Sequence, residues 1–204
     1  SIIYYYQEYL HFYRLSGSSS AVKTLRQAYG NNNKSVNILG NNKLWNGDIH
    51  VLTGCVKGYL RDGLQPWDDS LCMYEHYDDF IQVAQISSDD LRLLALKELI
   101  HRLKSNNFST LKFLLQHLYK VSQHSSSNKM TIRNLAIVFG PTVLQTKIPS
   151  PNMLADMQHQ CLIVEIMISN IDFIFNNGES SHTRGKITEE EINRLKAAPM
   201  KMED

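Results

Sequence analysis

The residue best placed for chemistry in this chain is an arginine. Arg14 stands directly before Leu15-Ser16-Gly17-Ser18-Ser19-Ser20, a Ser/Gly run that reads as a turn, so its side chain sits on a loop and is free to project. A guanidinium is planar, permanently charged and able to give two hydrogen bonds to phosphate oxygens. Taken alone, a loop arginine is ordinarily a solvated one.

A second cationic pair is Lys57 and Arg61. They are four apart and share one face of the helix expected there. Like charges at that spacing cost about 0.2–0.5 kcal/mol, which an anion meeting the same face would offset. Gly54 and Gly58 interrupt that helix at roughly 1 kcal/mol each relative to Ala; glycines there would let another backbone come close. Pro66-Trp67 closes the turn after Arg61. Further on, Asn134 heads the apolar run Leu135-Ala136-Ile137-Val138-Phe139, which meets Gly140-Pro141. Read locally, Asn134 makes a capping or side-chain-to-backbone bond.

Other chemistries find no support. Phosphate-loop and dinucleotide glycine patterns are absent, and none of the eight histidines forms His-Glu-x-x-His. Cys55, Cys72 and Cys161 are far apart and odd in number, so they frame neither a zinc site nor a disulfide scaffold. They read as semi-buried thiols in a reducing compartment. Asp68-Asp69 and Asp78-Asp79 read as solvated carboxylates near helix starts rather than metal ligands. Ser18-Ser19-Ser20 reads as a turn and helix cap rather than a nucleophile. With 21 basic and 20 acidic residues, the total charge does not suggest a basic nucleic-acid face. No run reaches the roughly 18 apolar residues of a membrane helix; the best candidate, Cys161-Leu162-Ile163-Val164, is cut by Glu165. The start, Ser1-Ile2-Ile3-Tyr4-Tyr5-Tyr6, lacks the basic residues of a signal peptide and an initiator Met, as expected of a piece of a larger multidomain protein. The chain is expected to be no stand-alone enzyme, with no metal and no cofactor of its own.

The elements that must position these residues are helical. From Asp89 to Lys104, the residues Leu91, Leu94, Ala95, Leu99, Ile100 and Leu103 fall on one broad stripe. Ser109 is placed to cap the next helix, carrying Leu111, Leu114, Leu115, Leu118 and Val121, and Ser125-Ser126-Ser127 reads as a break. Thr131 caps a helix through Phe139 that Gly140-Pro141 ends. A long helix follows from about Asp156 to Phe175, with Cys161, Val164, Ile168 and Ile171 inward. Earlier helices are expected from about Ser20 to Tyr29, Asp48 to Arg61 and Leu71 to Gln85. Residues 31–47 and 147–152 read as loops. No period-two strand is evident. The expectation is an all-α helical-bundle domain over residues 1–177. A polar tail follows over 178–204, where Thr188-Glu189-Glu190-Glu191 opens a short helix.

Three motifs in this order carry a resemblance. Tyr13-Arg14-Leu15-Ser16-Gly17-Ser18 is followed by Val56-Lys57-Gly58-Tyr59-Leu60-Arg61-Asp62. Then comes Asn128-Lys129-Met130-Thr131, running into Asn134-Leu135-Ala136-Ile137-Val138-Phe139-Gly140-Pro141. Together they resemble the RhoGAP family of GTPase-activating domains, over roughly Tyr9 to Asn176. The resemblance implies a helical bundle that docks on a GTP-bound Rho-family small GTPase and stimulates its GTP hydrolysis. Arg14 would be the arginine finger, supplied in trans. Lys57 and Arg61 would hold the finger loop or meet the acidic side of the GTPase, while Asn134 and Pro141 would belong to the docking surface. GTP and magnesium would belong to the partner. A cytoplasmic protein is implied, recruited to the membrane surface where prenylated GTPases reside. Two segments depart from the family pattern. Leu10-His11-Phe12 stands where Glu-Gly-Ile is usual, and Asp62-Gly63-Leu64-Gln65-Pro66 where Glu-Leu-Pro-Glu-Pro is usual. The alternative implied by the first departure is a module that binds GTP-loaded GTPases without activating them; the presence of Arg14 opposes it.

Overall fold

A computed structural model describes residues 9–30, 45, 47–63, 70–148 and 151–176. The expected turn at Pro66-Trp67, the pair Asp68-Asp69, nearly all of the loop over 31–47, Pro149 and the 178–204 tail lie outside these residues. The helices are α1 Ser19–Gly30, α2 Ile49–Gly58, α3 Tyr77–Ala84, α4 Asp89–Ile100, α5 Ser105–Gln123, α6 Ser125–Asn128, α7 Ile132–Val143, α8 Met153–Ser169 and α9 Ile171–Phe175. No strand occurs among the described residues, and the fold is all-α.

Capping holds the starts of α2 and α7. The Asp48 carboxylate accepts the His50 N–H at 2.9 Å, and Thr131 Oγ1 accepts the Asn134 N–H at 3.2 Å, each satisfying a donor that the first turn leaves free. The core is assembled around α8, which packs on α3, α5, α7 and α9. Leu111, Leu115, Leu118 and Val121 of α5, Leu135, Ala136, Phe139 and Val143 of α7, and Ile163, Val164, Met167 and Ile168 of α8 are fully buried. At about 1.5–3 kcal/mol per buried aliphatic or aromatic side chain, this three-helix seam is a large contribution to stability.

Several helix boundaries differ from the expectation. α7 does not stop at Gly140-Pro141 but runs on to Val143. The Pro141 ring is on the exposed side, and the only bond it forfeits is the one to the Ile137 carbonyl. Gly140 serves packing instead: a Cβ there would come within 3.0 Å of the Cys161 backbone nitrogen. Cys161, expected to face the core, is half-buried, with its backbone against α7. The expected helix from Asp156 to Phe175 is two helices, broken at Asn170, whose side chain donates to the Ile166 carbonyl at 2.9 Å. α5 begins at Ser105 rather than at Ser109, because Phe108 is anchored edge-on between His101 and Phe175. The serine run Ser125-Ser126-Ser127 is a helical turn, ended by Lys129 in the left-handed conformation (φ 59°). In α4 the buried residues are Leu96, Leu99 and Ile100, while Leu91, Leu94 and Ala95 are half-buried. Between Leu71 and Gln85 the regular helix is confined to Tyr77–Ala84, after a 3₁₀ turn.

Candidate functional site

Arg14 ends a tight turn over residues 9–15 that packs where α5, α6, α7 and α2 meet. The His11 N–H donates to the Asn128 carbonyl at 2.8 Å, and the Arg14 N–H donates to the His11 carbonyl at 2.8 Å. Asn128 is fully buried and anchored in turn: its side chain donates to the Val121 carbonyl at 2.8 Å and accepts the Met130 N–H at 2.7 Å. His11 and Tyr13 both lie at positive φ, 57° and 72°. Neither is glycine, and a left-handed L-residue costs of order 1–3 kcal/mol, so the surroundings must hold the turn in place.

They do so through Tyr13. Its ring is fully buried, with Phe12 at 4.7 Å, His117 at 5.7 Å and Phe139 at 4.9 Å between ring centroids, each edge-on, the arrangement aromatic quadrupoles favour. Its hydroxyl and Nε2 of His117 share a hydrogen bond of 2.9 Å. Burial pushes the Tyr13 phenol up and pushes His117 down to about 4, so both are neutral near pH 7. The Tyr13 carbonyl accepts a 2.7 Å hydrogen bond from Lys57 Nζ.

After Arg14 the chain is pinned again. The Gly17 N–H donates to the His50 carbonyl at 3.2 Å, and a Cβ on Gly17 would stand 2.4 Å from the Val51 nitrogen. Only glycine lets the loop lie this close to the start of α2. Between these two anchors Arg14 is exposed, and its guanidinium has no partner among the described residues.

Lys57 and Arg61 do line one groove together with Ser16, Gly17, Val138 and Thr142. Their partners differ, however. Lys57 is half-buried on the Tyr13 carbonyl; desolvation first, and the nearby Arg61 second, lower its pKa. Beyond Gly58 the helix widens into a π-helical turn, Tyr59–Gly63, a device that re-aims side chains near functional sites. On it Arg61 Nε donates to Asp62 Oδ1 at 2.8 Å, and Arg26 Nη1 donates to Asp62 Oδ2 at 3.1 Å. The hydrogen bond from Arg61 holds the Asp62 carboxyl below the usual carboxylate range. The anion expected on this face is thus, for Arg61, a neighbour in the same chain. Gly54 and Gly58 admit side chains of α1 rather than a backbone: their Cβ atoms would meet Val22 Cγ2 and Arg26 Nη1, each at 3.0 Å.

Asn134 caps locally, donating from Nδ2 to the carbonyl of left-handed Lys129 at 2.8 Å. With Ile137 and Pro141 it lies on one side of α7, at spacings of three and seven, and the latter two are exposed. Leu15 is exposed on the Arg14 loop as well. The site thus offers an exposed cation with Leu15 on one loop and exposed Ile137 and Pro141 on α7, features that suit docking against a protein that carries an anionic group.

The residues that sequence reasoning missed are Tyr13, Gly17, His117 and Asn128 in their supporting roles. For His117 a signal was available. It lies three residues after Leu114 and four before Val121, on the buried side of α5, where a polar residue needs a partner.

A family model described as the RhoGAP domain matches residues 8–148. The chain is similar to beta-chimaerin of Mus musculus, 36% identical over 164 residues that cover 80% of this chain and 47% of that protein. It is similar to the GTPase-activating protein CdGAPr of Drosophila melanogaster, 37% identical over 169 residues covering 80% of this chain and 9% of the other. Among solved structures it matches human Rho GTPase activating protein 15 with a TM-score of 0.74 and 31% identity, over 83% of this chain and 76% of that one. The chain thus spans half or less of these two relatives' own lengths.

Proposed function

The chain belongs to the RhoGAP domain family, and on that premise we propose that it docks on a GTP-loaded Rho-family small GTPase and accelerates its hydrolysis by supplying Arg14 in trans. What supports this most is that Arg14 is exposed and unpaired among the described residues, while the loop on both sides of it is fixed. In phosphoryl transfer the catalyst does little covalent chemistry; rate comes from positioning and from stabilising charge that develops on the transferred group. A pre-positioned guanidinium supplies both without tightening the ground state much.

The partner supplies GTP, magnesium and the attacking water. This chain needs no cofactor and no metal, and it has no hydrolase activity of its own. Leu15, Asn134, Ile137 and Pro141 form the docking surface, and Arg61 meets acidic residues of the GTPase at its edge. The protein works in the cytoplasm, at membrane surfaces where prenylated GTPases reside. Among the described residues no helix is long and apolar enough to cross a membrane.

The test is single-turnover hydrolysis with a panel of GTP-loaded Rho-family GTPases. Acceleration of at least one of them is expected. Binding to GTP-loaded partners without acceleration would replace this reading with the binding-only module.

A further inference from the structure

We propose that His117 is a positioning residue for the Arg14 loop: its imidazole holds the Tyr13 hydroxyl while Lys57 holds the Tyr13 carbonyl, so the residue that carries Arg14 is fixed at both ends. The consequence for hydrolysis rests on the GTPase-activating reading; the clamp itself does not.

The clamp follows from where the two bonds act. Tyr13 is joined to Arg14 by one peptide, and its backbone is held at φ 72°. Lys57 reaches its carbonyl at 2.7 Å, which restrains that peptide at one atom and leaves rotation about the bond to be resisted elsewhere. The Tyr13 side chain is the lever that resists it. Its ring lies fully buried against Phe12 and Phe139, contacts that allow a ring to slide. The hydroxyl at its tip is the directional element, and a buried hydroxyl requires a partner. That partner is Nε2 of His117 at 2.9 Å, across 104 residues of sequence. His117 also faces the Phe12 ring, at 6.4 Å between centroids, so it touches both aromatic residues of the turn. α5 itself is locked into the core through Leu114, Leu115, Leu118 and Val121, which makes the imidazole a fixed post. Loss of the bond frees the ring to rock, turns the peptide ahead of Arg14 and redirects the guanidinium. A misplacement of about 1 Å in a catalytic group can cost of order a hundredfold in rate.

The test uses Tyr13→Phe, His117→Leu and His117→Gln, with two readouts. The first needs no partner: tryptic cleavage of the Arg14–Leu15 bond in the native domain, which tracks how often the loop opens. Loss of one hydrogen bond should raise cleavage about fivefold in Tyr13→Phe and in His117→Leu. The double variant Tyr13→Phe/His117→Leu should be no worse than either alone. His117→Gln, whose amide reaches the place of Nε2, should stay within about twofold of the parent. The second readout is single-turnover hydrolysis at saturating domain. It should fall about tenfold in Tyr13→Phe and His117→Leu, with affinity for the GTP-loaded partner unchanged to within about twofold. In an Arg14→Ala background the same changes should lower the rate no further, since they act through Arg14.

Unchanged cleavage in Tyr13→Phe and His117→Leu would overturn the clamp. Raised cleavage with an unchanged rate in an active parent would overturn its role in positioning Arg14, as would an equal rate loss in the Arg14→Ala background. If the parent accelerates no GTPase, the functional reading fails by itself. The cleavage arm then decides the clamp alone, upholding it by the rise or overturning it by the lack of one.

Discussion

Nζ of Lys57 lies 2.7 Å from the carbonyl oxygen of Tyr13, one peptide bond away from Arg14, although 44 residues of chain separate the two. The lysine therefore acts on the loop's backbone, whereas Arg61, its neighbour on the same face, spends its guanidinium on Asp62 at the surface.

This difference in partners predicts a difference in phenotype. Lys57→Met keeps the aliphatic stem and removes the donor, leaving the Tyr13 carbonyl without it. A hydrogen bond from a charged donor contributes about 1.5–3 kcal/mol, so a rate loss of roughly ten- to a hundredfold is expected, with little change in affinity. Arg61→Ala breaks an exposed pair worth about 0–1 kcal/mol; its effect should fall on affinity and fade as salt rises. Single-turnover rates and binding isotherms at two salt concentrations check both. Equal rate losses in the two variants would contradict the division.

Gly17→Ala should be far more damaging than an exposed glycine substitution. The new Cβ would stand 2.4 Å from the Val51 nitrogen and 2.7 Å from the His50 carbonyl carbon, and backbone cannot swing aside as a flexible side chain can. A loss of about 1–3 kcal/mol is expected, together with a slowed single-turnover rate from a displaced loop. A thermal melt and a rate matching the parent would show that the loop does not lie on α2 in solution.

Acid should loosen the same region. His117 titrates near 4 in the folded chain because burial disfavours its charged form, against about 6.5 when unfolded. Between those values the unfolded state binds the extra proton, so stability rises with pH across the window. The contribution is complete above about pH 6.5 and is lost as pH falls toward 4; it is at most about 3 kcal/mol, less what the ring's residual exposure removes. Urea midpoints at pH 7 and pH 5 should show a smaller drop in His117→Gln than in the parent. An identical drop would mean that His117 is not held neutral.

Much of the fold was legible because its signals are local. Apolar spacing placed the α5, α7 and α8 cores, and Asp48 and Thr131 marked the starts of α2 and α7. The Arg14 loop was legible too, since a Ser/Gly run after an arginine has few other readings. What escaped was non-local. Nothing in Leu10-His11-Phe12-Tyr13 announces two left-handed residues, because neither is glycine; the burial of Tyr13 against α5 and α7 and the hydrogen bonds with Asn128 and Lys57 hold them there. The Tyr13–His117 bond joins residues 104 apart, beyond any spacing rule. Gly140-Pro141 misled because a proline ring on the solvent side of a helix costs one hydrogen bond rather than the helix. Lys57 and Arg61 looked equivalent because a four-residue spacing says which side they share and not what each one meets.

Arg14→Ala tests the central claim most directly, with single-turnover hydrolysis and affinity measured on the same GTP-loaded Rho-family GTPase. Arginine fingers contribute about 10³–10⁵ in rate, roughly 4–7 kcal/mol of barrier, and the contact strengthens mainly in the transition state. The variant should lose at least about a hundredfold in stimulated hydrolysis while binding within roughly tenfold of the parent. Arg14→Lys should rescue poorly, since a point charge lacks the forked geometry. If Arg14→Ala stimulates hydrolysis as well as the parent does, Arg14 is not the finger, and the loop that presents it serves binding alone.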